Sequence, residues 1–330
     1  MPNPELESLR AHLADAGGRL YLGGGCGGFA LAEAEQSVLV LGPPRAGKTT
    51  AVAVPNVLAA PGPVVATSTK PDLLAATLPG RAALGHCWLL DPTGTVRAPD
   101  GIQVLRWSPV AAAATWDESL VVARAMTRAA RPAGRRGDSA HWTERAEALL
   151  APLLHAASLA GSGMDAVVRW VLRQDLDAPR SVLRLQGVGV AGDVLAGIAA
   201  TDPREQSGIW SSAAGVLAAY RSEAVLDRCA AVNFDPRALA GTRDTVYVCA
   251  PARYQELVAP IVVAFLEQAR AGAYDASAAG GRRLPLTMVL DELANIAPLP
   301  DLPAMVSEGG GQGLLTLACL QDLSQARQRW

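Results

Sequence analysis

The sequence predicts an α/β protein in which a mostly parallel, doubly wound sheet is interrupted by an all-helical insertion. Three observations predict it. Short apolar runs bounded by glycine, proline or acid alternate with helical stretches, as expected of strands buried on both faces. One run, Ser37 to Leu41, leads into Gly42-Pro43-Pro44-Arg45-Ala46-Gly47-Lys48-Thr49-Thr50, which fits the phosphate-binding pattern G-x-x-x-x-G-K-[ST]. Between Thr115 and about Cys229 β-branched runs vanish and helical spacing dominates.

In chain order, residues 1–18 read as a helix with Leu6, Leu9 and Leu13 at helical spacing. Tyr21 to Ala32 reads as a glycine-rich hairpin; a nucleotide-binding loop is the alternative, but neither a clear strand nor a helix follows GGGCGGF. Thr49 to Ala60 is a helix that Pro55 is expected to kink. Pro63 to Ser68 is a buried strand, and Thr69-Lys70-Pro71-Asp72 opens another helix. Cys87 to Asp91 is a third strand, ending in an acid, and Gly101 to Pro109 a fourth at an edge. Helices are expected over Ala123–Ala130, Trp142–Ala160, Asp165–Leu172, Val190–Ala200 and Ile209–Leu226. Within this region Arg128 to Ser139 is a basic Gly/Pro loop, either simply solvated or a contact for phosphate backbone or anionic lipid. The sheet resumes at Asp244 to Pro251, followed by a helix from Tyr254 to about Tyr274. Two more strands follow, Leu286 to Leu290 and Gly313 to Leu320.

The motif residues indicate phosphate chemistry. Gly42 and Gly47 permit the backbone geometry that wraps amides around a phosphate, and the helix starting there favours negative charge. Lys48 is expected to reach the β- and γ-phosphates, and Thr49 to hold Mg²⁺. The strand ending in Asp291-Glu292 reads as a Walker B strand: Asp291 holds Mg²⁺ directly or through water, and Glu292 polarises the attacking water. Gln321, at the tip of the last strand, is a candidate γ-phosphate sensor, provided that strand lies between the other two.

Composition narrows the field. The chain has 330 residues, half of them hydrophobic, enough for two packed units or one with an insertion. A formal net charge of −2 excludes a passive DNA-coating protein, so nucleic acid would be met locally or in a pore. Lys48 and Lys70 are the only lysines. Lys70 is expected to form a surface salt bridge, with contact to cargo or a neighbour's site as the alternative. Cys26, Cys87, Cys229, Cys249 and Cys319 are scattered without a C-x-x-C pair, which supports buried thiols and no zinc or iron–sulfur site. There is no run of eighteen apolar residues and no signal-peptide pattern, so a soluble chain is expected.

Several stretches together match one family. GPPRAGKTT (Gly42–Thr50), VVATSTKPDLL (Val64–Leu74), LLDPTG (Leu89–Gly94), DSAHWTERAEALLAPLL (Asp138–Leu154), TVYVCAP (Thr245–Pro251), VLDELANIAPLPDLP (Val289–Pro303) and LQDLSQARQRW (Leu320–Trp330) span most of the chain. With them the sequence resembles the coupling proteins of conjugation and type IV secretion, the TraG/TraD-like ATPases. The resemblance implies a RecA-like P-loop NTPase domain over 1–114 and 231–330 and an all-α insertion domain over 115–230. It implies ATP and Mg²⁺ as cofactors, a homo-hexameric ring, and relaxase–DNA or protein cargo. Delivery would be to a type IV secretion channel at the cytoplasmic face of the bacterial inner membrane. A nucleotide-gated substrate adaptor and a DNA-segregation pump are the alternatives, the helical insertion arguing against the pump.

Two departures from the family stand out. Its membrane helices are missing here, which reads as a soluble form or one without its anchor. The unterminated helix at Ser324–Trp330 reads as a core cut short. The arginine that the family carries after Walker B is also missing: Ser307 to Gly313 is SEGGGQG, which predicts a mobile loop. Arg106 and Arg253 are the candidates to act across a subunit interface instead.

Overall fold

The computed structural model describes residues 4–14, 18–25, 28–130, 139–280 and 284–330. Helix α1 (Pro4–Leu13) buries Leu9 and Leu13 against Ala59. Strands β1 (Tyr21–Gly25) and β2 (Gly28–Leu31) pair antiparallel as the expected hairpin. Strand β3 (Val38–Leu41) enters the phosphate-binding loop. A π-helical turn, Thr49–Ala53, leaves the loop and continues as α2 (Val54–Ala59). Pro55 falls where this continuous helical run changes from π to α geometry, an irregularity at the position where a kink was expected. The Asn56 side chain accepts from Tyr21 N and donates to Tyr21 O, both at 2.9 Å, fastening the hairpin to this helix.

β4 (Val64–Ser68), α3 (Asp72–Ala82), β5 (Cys87–Leu90) and the short β6 (Gln103–Val104) follow. Seven helices come next: α4 (Trp116–Ala129), α5 (Ser139–Leu159), α6 (Met164–Arg173), α7 (Asp177–Leu185), α8 (Gly189–Ala199), α9 (Pro203–Val216) and α10 (Glu223–Cys229). Then come β7 (Thr245–Cys249), α11 (Gln255–Ala278), β8 (Leu286–Leu290), α12 (Leu293–Ile296), α13 (Leu302–Glu308), β9 (Leu314–Leu320) and α14 (Leu323–Arg329).

The strands from β3 onward form one seven-stranded sheet in the order β3-β9-β8-β4-β7-β5-β6, parallel throughout. Alternate residues feed two cores, because successive side chains leave a strand on opposite faces. Val64, Ala66, Tyr247, Val289 and Leu317 point toward α2 and α3. Val65, Val246, Val248, Met288 and Leu290 join α11, α4 and α5 in the larger core, which continues into the other inserted helices. Trp107 meets Phe265 of α11 edge-on there, at 5.6 Å between ring centroids. The stretch Ala252–Ala278 is long and apolar enough to cross a membrane, but 78% of its most apolar window lies inside the protein, as a core helix.

Several expected boundaries move. The first helix ends at Leu13. The edge strand predicted over 101–109 reduces to two residues, because Asn233 takes over its outer side: it accepts from Arg106 N, donates to Val104 O, and pairs by backbone with Arg106 O. The single helix expected over 209–226 breaks at Leu217, where a 3₁₀ turn drops Tyr220 fully into the core before α10 begins. Helix α7 was not foreseen, since Pro179 in its first turn hides the periodicity. Gly309 caps α13 and a 3₁₀ turn follows over Gly310–Gln312. A Cβ at Gly310 would lie 1.7 Å from the Glu35 carbonyl oxygen, so the close approach itself demands glycine. The basic loop 131–138 and Cys26 lie outside the described residues.

The amino ends of β4 and β7 are tied by Arg81, which is fully buried without a carboxylate partner. It donates to Ala60 O, Gly62 O, Arg243 O and Thr245 Oγ1 at 2.7–3.0 Å, and burial lowers its pKa to about 10. Arg81→Met keeps the bulk and strands several buried acceptors. Urea unfolding is expected to show a loss of about 3 kcal/mol or more; a change within about 0.5 kcal/mol would show that these bonds do not hold the strands together.

Candidate functional site at the carboxyl edge of the sheet

All seven strands run the same way, so their carboxyl ends share one edge, where open parallel sheets bind ligands. β9 and β8 lie next to β3, and Leu41 is level with Leu320, so Gly42 N donates to Leu320 O. This arrangement brings the loop, Gln321 and the Asp291–Glu292 pair together. Gly47 has φ +83°, a left-handed value that favours glycine. Lys48 Nζ donates to the carbonyls of Gly42 and Pro43, which hold the ammonium on the loop.

Thr49 Oγ1 donates to Asp291 Oδ2 at 2.7 Å, joining the loop to the Walker B strand. Both are hard oxygen donors. Their spacing is close to the roughly 2.9 Å edge of an octahedron with Mg²⁺–O bonds of about 2.05 Å, so the pair fits magnesium. No cluster of three or more His, Cys, Asp or Glu occurs among the described residues. Magnesium needs none, since it takes few protein ligands and completes its shell with phosphate and water. Beneath the pair, Cys319 is buried and its thiol is pushed up to about 12, by burial first and then by the Asp291 charge.

Glu292 takes a left-handed backbone (φ 54°, ψ 39°), unusual outside glycine. Gln321 Nε2 donates to Glu292 Oε2 at 3.1 Å, so the candidate sensor touches the candidate base. Two contacts escaped the sequence reading. Thr67 Oγ1, fully buried on β4, donates to the Asp291 carbonyl at 2.9 Å, and Asn295 Nδ2 donates to Glu292 Oε2 at 3.2 Å. Asn295 was visible only as a polar residue three positions after Glu292, while Thr67 lies in a distant strand with no local signal.

Other polar residues of this edge have different partners. Asp91 ends β5, three strands from β8 and so about 14 Å away. Its carboxylate is used by Thr93 and by Val96 N in its own turn. Lys70 is exposed and has no ion pair among the described residues, so the expected surface salt bridge does not form. Arg106 is bound to Asp227. Arg253 is exposed after β7 and lies over the Tyr254 ring at 4.6 Å.

The family described as type IV secretory system conjugative DNA transfer matches residues 10–330. The chain belongs to this family. Among solved structures the fold is similar to the bacterial conjugative coupling protein TrwBdeltaN70 in its unbound form, with TM-score 0.70 and 16% identity over 98% of this chain and 71% of that one. It is also similar to plasmid coupling protein TrwB in complex with the non-hydrolysable ATP analogue ADPNP, with TM-score 0.67 and 16% identity over 90% and 66% of the two chains. No curated protein sequence matches. For a conjugative DNA-transfer protein the likeness establishes the RecA-like P-loop fold, and in that fold β9 lies where a sensor strand was expected.

The Thr49–Asp291 contact yields a specific expectation. Thr49→Val should weaken binding of a magnesium–nucleoside triphosphate tenfold or more in calorimetry, about 1.4 kcal/mol. Binding of the same nucleotide in EDTA should not change; an equal loss in both would contradict a role at the cation.

Proposed function

We propose that this chain is an ATP-hydrolysing coupling protein that recruits DNA–relaxase or protein substrates and drives them into a type IV secretion channel. The observation that carries this reading is the convergence of Thr49, Asp291, Glu292 and Gln321 in one hydrogen-bonded group beside Lys48. The backbone N–H groups from Gly47 to Thr49 and the Lys48 ammonium bind the β- and γ-phosphates. Thr49 and Asp291 hold Mg²⁺, which when bound offsets the charge of those phosphates. Glu292 orients the attacking water and accepts its proton, while the Gln321 amide senses the terminal phosphate from the strand between. The family match and the TrwB complex with ADPNP support the nucleotide assignment.

Residues 1–114 and 231–330 form the motor domain in this reading, and 115–230 an all-α domain facing cargo. Subunits assemble as a hexameric ring at the cytoplasmic face of the inner membrane. With no arginine in Ser307–Gly313, Arg253 is the residue proposed to reach a neighbour's nucleotide, since Arg106 is already bound to Asp227. That same missing arginine favours a second reading, an adaptor that binds ATP to assemble and turns it over little.

Turnover measured with and without single- and double-stranded DNA separates the two. Lys48→Ala is expected to abolish nucleotide binding, and Glu292→Gln to bind ATP while hydrolysis falls at least a hundredfold. Hydrolysis by Glu292→Gln at the parental rate would overturn the base assignment, and binding without turnover under every condition would favour the adaptor.

A further inference from the structure

We propose that Asn295 is a positioning residue that holds the Glu292 carboxylate in its working direction independently of Gln321. This rests on the reading of Glu292 as the base. Glu292 is gripped from three elements. From β4, Thr67 fixes the carbonyl that precedes it. From β9, Gln321 donates to its carboxylate. From α12, which starts immediately after it, Asn295 donates to Oε2.

The three grips differ in permanence. Thr67 is fully buried and holds only backbone, so it sets the left-handed turn but not the side-chain rotamer. Gln321 belongs to the strand beside the phosphate-binding loop and has two possible partners, the Glu292 carboxylate and a terminal phosphate. When its amide turns to phosphate, Glu292 loses that donor. The Asn295 amide then keeps one carboxylate oxygen engaged and leaves the other for water. Its place one turn along the same chain makes this hold local: Asn295 N also donates to the Glu292 carbonyl, at 3.0 Å. A half-buried glutamate with several rotamers gains direction from such a fixed donor.

The test uses the full chain. Asn295→Asp keeps the shape and removes the donor; Asn295→Ala removes both. Both are expected to lower kcat for ATP tenfold or more while KM and nucleotide affinity stay within twofold, and neither should lower the rate further in a Glu292→Gln background. A packing role would instead spare Asn295→Asp, and a loss that adds fully to Glu292→Gln would overturn the proposal. A nucleotide-free readout is the Asn295 side-chain amide in ¹⁵N NMR, which should shift in Glu292→Ala and not in Lys48→Ala. If the parent never hydrolyses ATP but this shift occurs, the hydrolysis reading fails and the contact stands; if it turns over and the amide does not respond, the positioning role fails.

Discussion

The site depends on one contact, the Thr49 hydroxyl on the Asp291 carboxylate, between residues 242 positions apart. Strand order makes it possible. β9 and β8 lie between β3 and β4, so two strands from the end of the chain are side by side with the phosphate-binding strand. Parallel pairing then aligns their carboxyl ends, with Leu41 level with Leu320 and Leu290 level with Ala318. Arg81 at the opposite end of the sheet secures β4 against β7 and thereby helps hold the strand that carries Thr67.

Polar groups at this edge divide by where their bonds go. Asp91 and Arg106 are satisfied within local turns or by neighbouring segments, which leaves them structural. Asp291, Glu292 and Gln321 are bonded to one another, and the left-handed Glu292 is kept in its turn by tertiary contacts. Backbone held in a sparsely populated region costs about 1–3 kcal/mol and persists where the surroundings over-determine it. Here those surroundings are the buried Thr67 and helix α12. The inserted helices share the larger core with one face of the sheet, and an exposed ion pair, Arg128 with Asp301, joins α4 to the start of α13. Such a pair adds little stability, but it lies between the inserted helices and the segment that follows the acids.

Much of this was legible in the sequence because its signals are local. The phosphate-binding loop, the apolar strands and the acids at Asp291 and Glu292 each declare themselves within ten residues. The placement of Gln321 was also readable, once its strand was expected between the other two. What could not be read depends on tertiary partners. Thr67 gains its role from a carbonyl in another strand, and Asn233 from capping an open edge that shortened β6. Among the glycines after Glu308, Gly310 is required by the close approach of the Glu35 carbonyl, a tertiary contact that composition does not signal.

The most direct measurement is electron paramagnetic resonance of manganese, used in place of magnesium, titrated into the protein with ADPNP. The account predicts one tightly held ion per chain that requires the nucleotide and is lost in Asp291→Asn. A manganese signal retained undiminished in that variant would contradict the meeting of Thr49 and Asp291 at the nucleotide's cation.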